Sequence, residues 1–101
     1  MHRGDLTGIE IMGRLRDQMF RLGPKELEDV RALDIVFDDE GELAGVTGLD
    51  VRTGHFVVIR ARVVVVATGG AATMYRIAAP AREKTGDGIA MCYRAGLEMR
   101  D

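Results

Sequence analysis

The sequence predicts an α/β fold, and three features of the chain carry that prediction. Near the N-terminus, apolar residues recur every three or four positions, which is typical of an amphipathic helix. In the middle of the chain, strand-forming segments are separated by acidic, glycine-containing turns, which predicts an antiparallel β-meander. Residues 63–67 then form a continuous apolar run without alternation. Such a run indicates a strand that is covered on both faces, as in a parallel sheet.

The first predicted element is a helix that begins near Gly8. Asp5 or Thr7 can accept hydrogen bonds from the free amides of its first turn, as short oxygen-bearing side chains do at helix N-termini. Gly23 followed by Pro24 predicts its end, because glycine accepts a left-handed cap and proline cannot continue the helix. One face of this helix is expected to be buried, and its apolar residues are Ile9, Met12, Leu15, Met19 and Leu22.

Three strands are predicted next, as an antiparallel meander. The segments Val30–Phe37, 43–51 and 56–59 are rich in β-branched and apolar residues, and turn residues separate them. Gly45 and Gly48 leave the middle strand poor in bulk, which indicates a bulge or a close neighbour.

The apolar run at residues 63–67 needs covering layers and neighbouring strands. The sequence therefore predicts a sheet larger than this chain supplies, with Val30–Phe37 as the one candidate for a parallel partner. A second helix is predicted from about residue 88 to residue 95, with Gly96 as its C-cap. The residues available to pack from this helix are Ile89, Met91, Cys92 and Ala95.

Composition and charge argue against several classes of protein. The formal net charge is −2, which disfavours a nucleic-acid partner and a polybasic membrane anchor. Residues 1–50 carry a charge of −6 and residues 51–101 a charge of +4, and a solvated surface explains this asymmetry more simply than an anionic ligand does. The longest apolar run is too short to span a bilayer, so we expect no direct membrane insertion and a cytoplasmic location. Cys92 is expected to be a packed thiol, and no metal site is predicted.

Two glycine-containing clusters are the candidate binding site. Residues 67–70 (Ala-Thr-Gly-Gly) follow the predicted buried strand, where ligands bind in open α/β sheets and glycine lets the backbone approach a ligand. Residues 85–88 (Thr-Gly-Asp-Gly) precede the second helix, where a carboxylate can accept hydrogen bonds from ligand hydroxyls and free amides can bind phosphate. Either cluster alone is more simply a tight turn or a helix cap. The two together, in this order, are a far more specific signal.

With these clusters in view, the chain resembles the flavoprotein subunits of succinate dehydrogenase and fumarate reductase, a superfamily that includes L-aspartate oxidase. The resemblance is carried by Arg62 to Ala71 (RVVVVATGGA), Tyr75, Thr85 to Met91 (TGDGIAM) and Arg94 to Gly96 (RAG). It extends upstream through the meander to the first helix. It implies that residues 1–101 are part of an FAD-binding domain of Rossmann-like, glutathione-reductase type, with FAD as the cofactor.

The resemblance also implies roles for individual residues. Asp87 matches the family aspartate that contacts FAD, and residues 67–70 match the loop that lies against the dinucleotide. The strand at Arg31 and Ala32 matches the one beside the adenine end. No catalytic residue and no metal ligand are implied within the chain. The implied cofactor-binding residues are Asp87, Thr68, Gly69, Gly70, Ala67, Gly86, Arg31 and Ala32.

Several parts of such a flavoprotein do not occur in residues 1–101. The sequence has no G-x-G-x-x-G turn for the pyrophosphate, and neither His2 nor His55 matches a flavin-attaching or catalytic position. We expect the substrate-binding histidine and arginines of the parent, together with its substrate domain, to lie beyond Asp101. Residues 1–101 are therefore expected to be inactive alone and to bind FAD weakly.

The function that the resemblance implies belongs to the parent protein. That parent would be an FAD-dependent oxidoreductase that interconverts succinate and fumarate, with a dicarboxylate as its substrate. Docking to an iron–sulfur subunit, and a peripheral position on the cytoplasmic face of a membrane, stay open. One alternative is a non-catalytic module that completes the FAD site of a separately encoded partner. Another is a truncated remnant without function.

Overall fold

The computed structural model describes residues 6–77 and 84–100. Its elements follow the predicted order with one strand missing. Predictions made for His2, Asp5 and Asp101 lie outside the described residues. The elements are α1 (Thr7–Leu22), β1 (Val30–Phe37), β2 (Leu43–Asp50), β3 (Phe56–Arg60), a 3-10 helix (Ala72–Met74) and α2 (Asp87–Arg94).

The three strands form one antiparallel sheet in the order β1-β2-β3, which confirms the predicted meander. β1 has the predicted bounds, β2 ends one residue earlier than predicted, and β3 continues one residue further. In the turn between β1 and β2, the Oδ1 atom of Asp38 accepts hydrogen bonds from the backbone N–H groups of Glu40 and Glu42, each at 2.9 Å. These bonds add to the backbone hydrogen bond from the Asp38 N–H to the Glu42 carbonyl at 2.8 Å, so the turn is fixed by local contacts.

Asp50 organises the second turn in the same way. Its Oδ1 atom accepts hydrogen bonds from the backbone N–H groups of Arg52 and Thr53, at 3.0 and 3.3 Å. These bonds favour the ionised carboxylate, and the bond from Arg52 is the largest cause of a lowered pKa for Asp50. Gly54 closes the turn with φ 74 and donates its N–H to the Asp50 carbonyl at 2.8 Å.

The middle strand approaches its neighbours closely at its two glycines, as the sequence indicates. A Cβ atom on Gly45 would overlap the backbone oxygen of Ile59 in β3. A Cβ atom on Gly48 would lie 2.9 Å from Cγ1 of Val30 in β1. Since real Cβ atoms do not occur at such distances, both positions require glycine for the sheet to keep this shape.

A bulge in β1 changes which side chains share a face. Ala32 pairs with Gly48 and Asp34 with Thr47, so Leu33 is an extra residue in β1. Without that extra residue, Arg31 and Asp34 would point to opposite faces, because strand side chains alternate. With it, both oppose β2 residues that are two positions apart, and they therefore lie on the same face.

The strand predicted at residues 63–67 does not form in this structure. These residues have no regular secondary structure, and Val63 and Val65 are 76% and 85% exposed. The suggested parallel partner, β1, pairs antiparallel with β2 instead. A strand depends on hydrogen bonds from a neighbouring strand, and the described part of the chain offers residues 63–67 no such neighbour.

The predicted cap of α1 is found at the C-terminus of the helix but not at its N-terminus. Gly23 has φ 60 and its N–H donates to the carbonyl of Met19 at 2.9 Å, which confirms the glycine cap. At the other end Leu6 is the N-cap residue and its side chain makes no cap hydrogen bond, while Thr7 is the first helical residue. The prediction of Thr7 as the cap is therefore wrong.

The predicted buried face of α1 is exposed. Ile9, Met12 and Leu22 are 70%, 66% and 80% exposed, and α1 contains no buried residue among those described. The apolar side of α1 instead lines an open cleft of about 1090 Å³, and Ala67 also lines this cleft. No described element covers this face, so periodicity correctly predicts the helix but not its burial.

α2 packs on β1 and supplies the buried apolar side chain of the described residues. Met91 is 4% exposed and is the one buried hydrophobic side chain among the described residues. Of the other residues expected to pack, Cys92 and Ala95 are half-buried, whereas Ile89 is 44% exposed. α2 ends one residue before the predicted position, with Ala95 as its C-cap.

The dimensions of the chain agree with this limited burial. Its radius of gyration is 16.4 Å, whereas a compact domain of this length has a value of about 13 Å. Within residues 6–77 and 84–100, no helix is both long enough and apolar enough to cross a membrane.

Candidate functional site

The two glycine clusters lie against each other in the structure. The side chain of Thr68 packs on Gly88, and a Cβ atom on Gly88 would overlap the Thr68 hydroxyl. A Cβ atom on Gly86 would lie 2.6 Å from the Cβ atom of Ala71. The segment after the predicted strand and the start of α2 therefore touch through positions where only glycine fits.

The glycines of the first cluster face open space. At Gly69 and Gly70, the described residues other than the immediate chain neighbours place no heavy atom within 4 Å of the position that a Cβ atom would occupy. Gly69 has φ 76, a left-handed conformation that favours glycine. Close packing thus explains Gly86 and Gly88, whereas Gly69 and Gly70 leave their backbone accessible to another molecule.

Asp87 lies in the first turn of α2, next to Gly88, on which Thr68 packs. Its Oδ2 atom is 3.3 Å from a terminal nitrogen of Arg31, which projects from β1. The two side chains are 58% and 61% exposed, respectively. Two residues that the sequence assigns to one site, 56 positions apart, are therefore in direct contact.

The remaining predicted site residues lie at the edges of this arrangement. Ala32 follows Arg31 in β1 and pairs with Gly48. Ala67 precedes Thr68 but lines the cleft beside α1. The structure thus brings together Arg31, Thr68 and residues 86–88, whereas Ala67 faces a different part of the molecule.

A second ion pair, at the other end of α2, was not identified from the sequence. The Nε atom of Arg94 is 3.1 Å from Oδ1 of Asp34, and a terminal nitrogen donates to the carbonyl of Leu33 at 2.7 Å. Two features of the sequence could have indicated it. A cation in the last turn of a helix is favoured by the helix dipole, and aspartate is uncommon inside a strand.

The two ion pairs fix α2 along β1 in one direction. The bulge at Leu33 places Arg31 and Asp34 on one face of β1. Arg31 pairs with Asp87 in the first turn of α2, and Asp34 pairs with Arg94 in its last turn. The carboxylate of Asp87 is therefore held at a defined end of the sheet.

The stretch between the clusters is tied at both ends. Thr73 donates its hydroxyl to the carbonyl of Lys84 at 2.7 Å, and its N–H to the same oxygen at 3.3 Å. The 3-10 helix that contains Thr73 follows directly after Ala71, which packs on Gly86. These contacts were not predicted, and they keep the first cluster close to the start of α2.

Comparison with known proteins gives matches along the whole chain. Residues 1–101 match the family model described as FAD binding domain. The fumarate reductase flavoprotein subunit of a Serratia species is 42% identical over 96% of this chain and 16% of its own length. An uncharacterized FAD-dependent oxidoreductase of Methanocaldococcus jannaschii is 38% identical over 97% of this chain and 18% of its own length. The L-aspartate oxidase of Streptomyces coelicolor is 36% identical over 97% of this chain and 17% of its own length. The chain therefore spans less than a fifth of these relatives.

Proposed function

Because this chain belongs to the family of FAD binding domains, we propose that its two glycine clusters contact FAD within a larger FAD-dependent oxidoreductase. FAD is the cofactor of this family, and the relatives include flavoprotein subunits of fumarate reductase and succinate dehydrogenase. The finer proposals concern the residues that contact FAD, the reaction, and the rest of the fold.

The contact between Thr68 and Gly88 is the observation that carries the proposal. It joins an exposed glycine turn to the start of a helix that bears an exposed carboxylate. An open backbone turn beside a hydroxyl-accepting carboxylate suits a ligand that has both a flat surface and sugar hydroxyls. The residues present therefore fit part of an FAD molecule.

Each group in this arrangement has a proposed task. Asp87 accepts a hydrogen bond from a hydroxyl of the dinucleotide, while Gly69 and Gly70 let the backbone lie against it. Gly86 and Gly88 let the two segments approach closely enough for both contacts to be made. The strand at Arg31 and Ala32 lies beside the adenine end. FAD itself supplies the two-electron chemistry, and no residue of this chain is assigned a part in proton transfer.

The proposed reaction of the whole protein is the interconversion of succinate and fumarate, with a dicarboxylate as substrate. Relatives named for fumarate reductase and succinate dehydrogenase, 42% and 32% identical, support this choice. Both are flavoprotein subunits by name, so association with an iron–sulfur subunit is part of the proposal. The 36% identity to an L-aspartate oxidase makes oxidation of an amino dicarboxylate the first competing reaction to measure.

The proposed fold of the whole domain is Rossmann-like, of the glutathione-reductase type. In it, residues 63–67 would become a strand in a larger sheet, and the apolar face of α1 would be covered. The exposed Val63 and Val65 support this proposal. Strand pairing within a larger sheet would bury these apolar side chains, and burial of apolar surface is favourable.

The same exposed surfaces are compatible with a second function. A chain that completes the FAD site of a separately encoded partner would also leave α1 and residues 63–67 uncovered. The reading frame distinguishes the two functions. A glycine-rich turn in frame upstream and a further domain downstream would support one flavoprotein, whereas stop codons on both sides would favour the module.

The test of the proposed site is the FAD affinity of the longest polypeptide encoded in frame with residues 1–101. Asp87→Asn should weaken binding, because a hydrogen bond to a charged group contributes about 1.5–3 kcal/mol, or roughly 10–150-fold in Kd. Asp29→Asn is the matched control, since Asp29 is 56% exposed and also pairs with an arginine, Arg52, at 3.6 Å. Equal FAD affinity of the two variants would refute the role of Asp87.

A further inference from the structure

We propose that Arg31 is a positioning residue that orients and neutralises the Asp87 carboxylate for its contact with the dinucleotide. This inference rests on the proposed function, because it assumes that Asp87 contacts FAD. It goes further in giving the side chain of Arg31 a task of its own. In the proposed function, Arg31 belongs to the strand whose backbone lies beside the adenine end, and its side chain has no role there.

In the proposed arrangement, one oxygen of the Asp87 carboxylate contacts Arg31 and the other contacts the ligand. Arg31 contacts the Oδ2 atom at 3.3 Å, and no hydrogen bond to the Oδ1 atom occurs among residues 6–77 and 84–100. A carboxylate that is bonded through one oxygen can still accept a hydrogen bond through the other. Oδ1 is therefore the atom available to a ligand hydroxyl, and the contact with Arg31 favours the side-chain orientations that leave it available.

The position of Arg31 depends on features of the fold that are specific to this site. The bulge at Leu33 places Arg31 and Asp34 on one face of β1, and Arg94 fixes the far end of α2 to Asp34 and Leu33. Together with the burial of Met91, these contacts favour the orientation of α2 in which Asp87 faces Arg31.

Charge provides an independent reason for an arginine here. A bare carboxylate repels the phosphates of a dinucleotide, and within about 8 Å this repulsion is only partly screened at physiological salt. With Arg31 beside it, Asp87 keeps its hydrogen-bonding oxygen while the local charge is close to zero. Arg31 thus reduces the repulsion between Asp87 and the phosphates, so that an acidic residue can bind an anionic ligand.

The experiment measures the Kd for FAD in the longest polypeptide encoded in frame with residues 1–101, at low and at high salt. Arg31→Met should weaken FAD binding by about threefold to fivefold at low salt, the upper part of the range for an exposed ion pair. At high salt the loss should shrink to less than about twofold, because repulsion between Asp87 and the phosphates is screened. Arg31→Lys, which keeps the charge, should recover most of the low-salt affinity.

Arg52→Met is the matched control. Arg52 is 69% exposed and pairs with Asp29 at 3.6 Å in a turn of the same sheet, so its removal changes the net charge equally. Its FAD affinity should stay near that of the unaltered protein at both salt concentrations. Melting temperatures of all variants separate a general loss of folding from a loss at the site.

A double variant separates this inference from the proposed function. When Asp87→Asn is already present, Arg31→Met should have almost no further effect, since no carboxylate remains to be oriented or neutralised. If Asp87→Asn weakens binding but Arg31→Met behaves like Arg52→Met, Arg31 has no positioning role and the inference fails alone. If Asp87→Asn leaves binding unchanged, the proposed FAD contact itself fails.

Discussion

The sheet with α2 and the segment formed by α1 with residues 63–67 differ in what holds them in place. In the sheet, two turns are closed by aspartate side chains, and α2 is joined to β1 by two ion pairs. In the other region, apolar residues such as Met12 and Val65 are 66% and 85% exposed. One region thus closes its strand pairing and turns with its own residues, and the other has an apolar surface that nothing described covers.

This contrast shows which kinds of element a short stretch of chain can specify. A meander closes its hydrogen bonds between neighbours in sequence, so turns and glycines are enough to define it. A strand covered on both faces depends on elements from elsewhere in the polypeptide. The glycine clusters lie at the boundary, because one follows the incomplete region and the other begins α2.

The largest expected effect comes from breaking the sheet at its tightest approach. Gly45→Ala places a Cβ atom against the carbonyl oxygen of Ile59, and we expect a loss of about 3 kcal/mol of unfolding free energy. Urea unfolding followed by circular dichroism measures it. Gly13→Ala in α1 is the control, since nothing lies within 4 Å of its Cβ position. It should add helicity and leave the sheet unchanged, and an equal loss in both variants would contradict the contrast.

A smaller effect is expected from truncating one methionine in each region. Met91→Ala removes a side chain that is 4% exposed, and we expect a loss of about 2 kcal/mol. Met12→Ala removes one that is 66% exposed, and the loss should be below about 0.5 kcal/mol. Thermal unfolding of both variants in residues 1–101 makes the comparison. A large loss in Met12→Ala would show that α1 is buried after all.

The smallest effect concerns pH. Hydrogen bonds from Arg52 and Thr53 lower the folded-state pKa of Asp50 below its usual value of 3.8. Asp50 therefore stabilises the fold above that pH, and its contribution is lost as the pH falls through the lowered pKa. An NMR titration of the carboxyl carbon should give a midpoint below 3.8, and Asp50→Asn should reduce the acid sensitivity of this turn. A midpoint at or above 3.8 would contradict the turn geometry.

Local sequence signals predict the parts of the fold that depend on local contacts. The glycine cap of α1, the bounds of β1 and the close approaches at Gly45 and Gly48 are all confirmed. The strand at residues 63–67 and the buried face of α1 are not. Both patterns indicate burial by neighbouring elements, and the described part of the chain contains no such elements. The sequence pattern alone therefore predicts burial that this structure does not show.

The candidate site divides in the same way. The sequence identifies two separate motifs, one with Thr68 and one with residues 86–88, and the structure brings them together. The bulge at Leu33 and the choice of partners that depends on it could not be predicted. A cation in the last turn of a helix and an aspartate inside a strand each indicate a charged partner, but the pairs join residues 56 to 61 positions apart, and no local pattern says which residues pair.

Hydrogen exchange during FAD titration tests the central claim most directly. In the longest polypeptide encoded in frame with residues 1–101, FAD should slow amide exchange at residues 68–71 and 86–88. The turn at residues 38–42 follows the end of β1 that is opposite Arg31. Its exchange should be unchanged, so it serves as the internal control. Protection of both clusters would support a site made from both, whereas FAD binding that leaves both clusters unprotected would contradict the account.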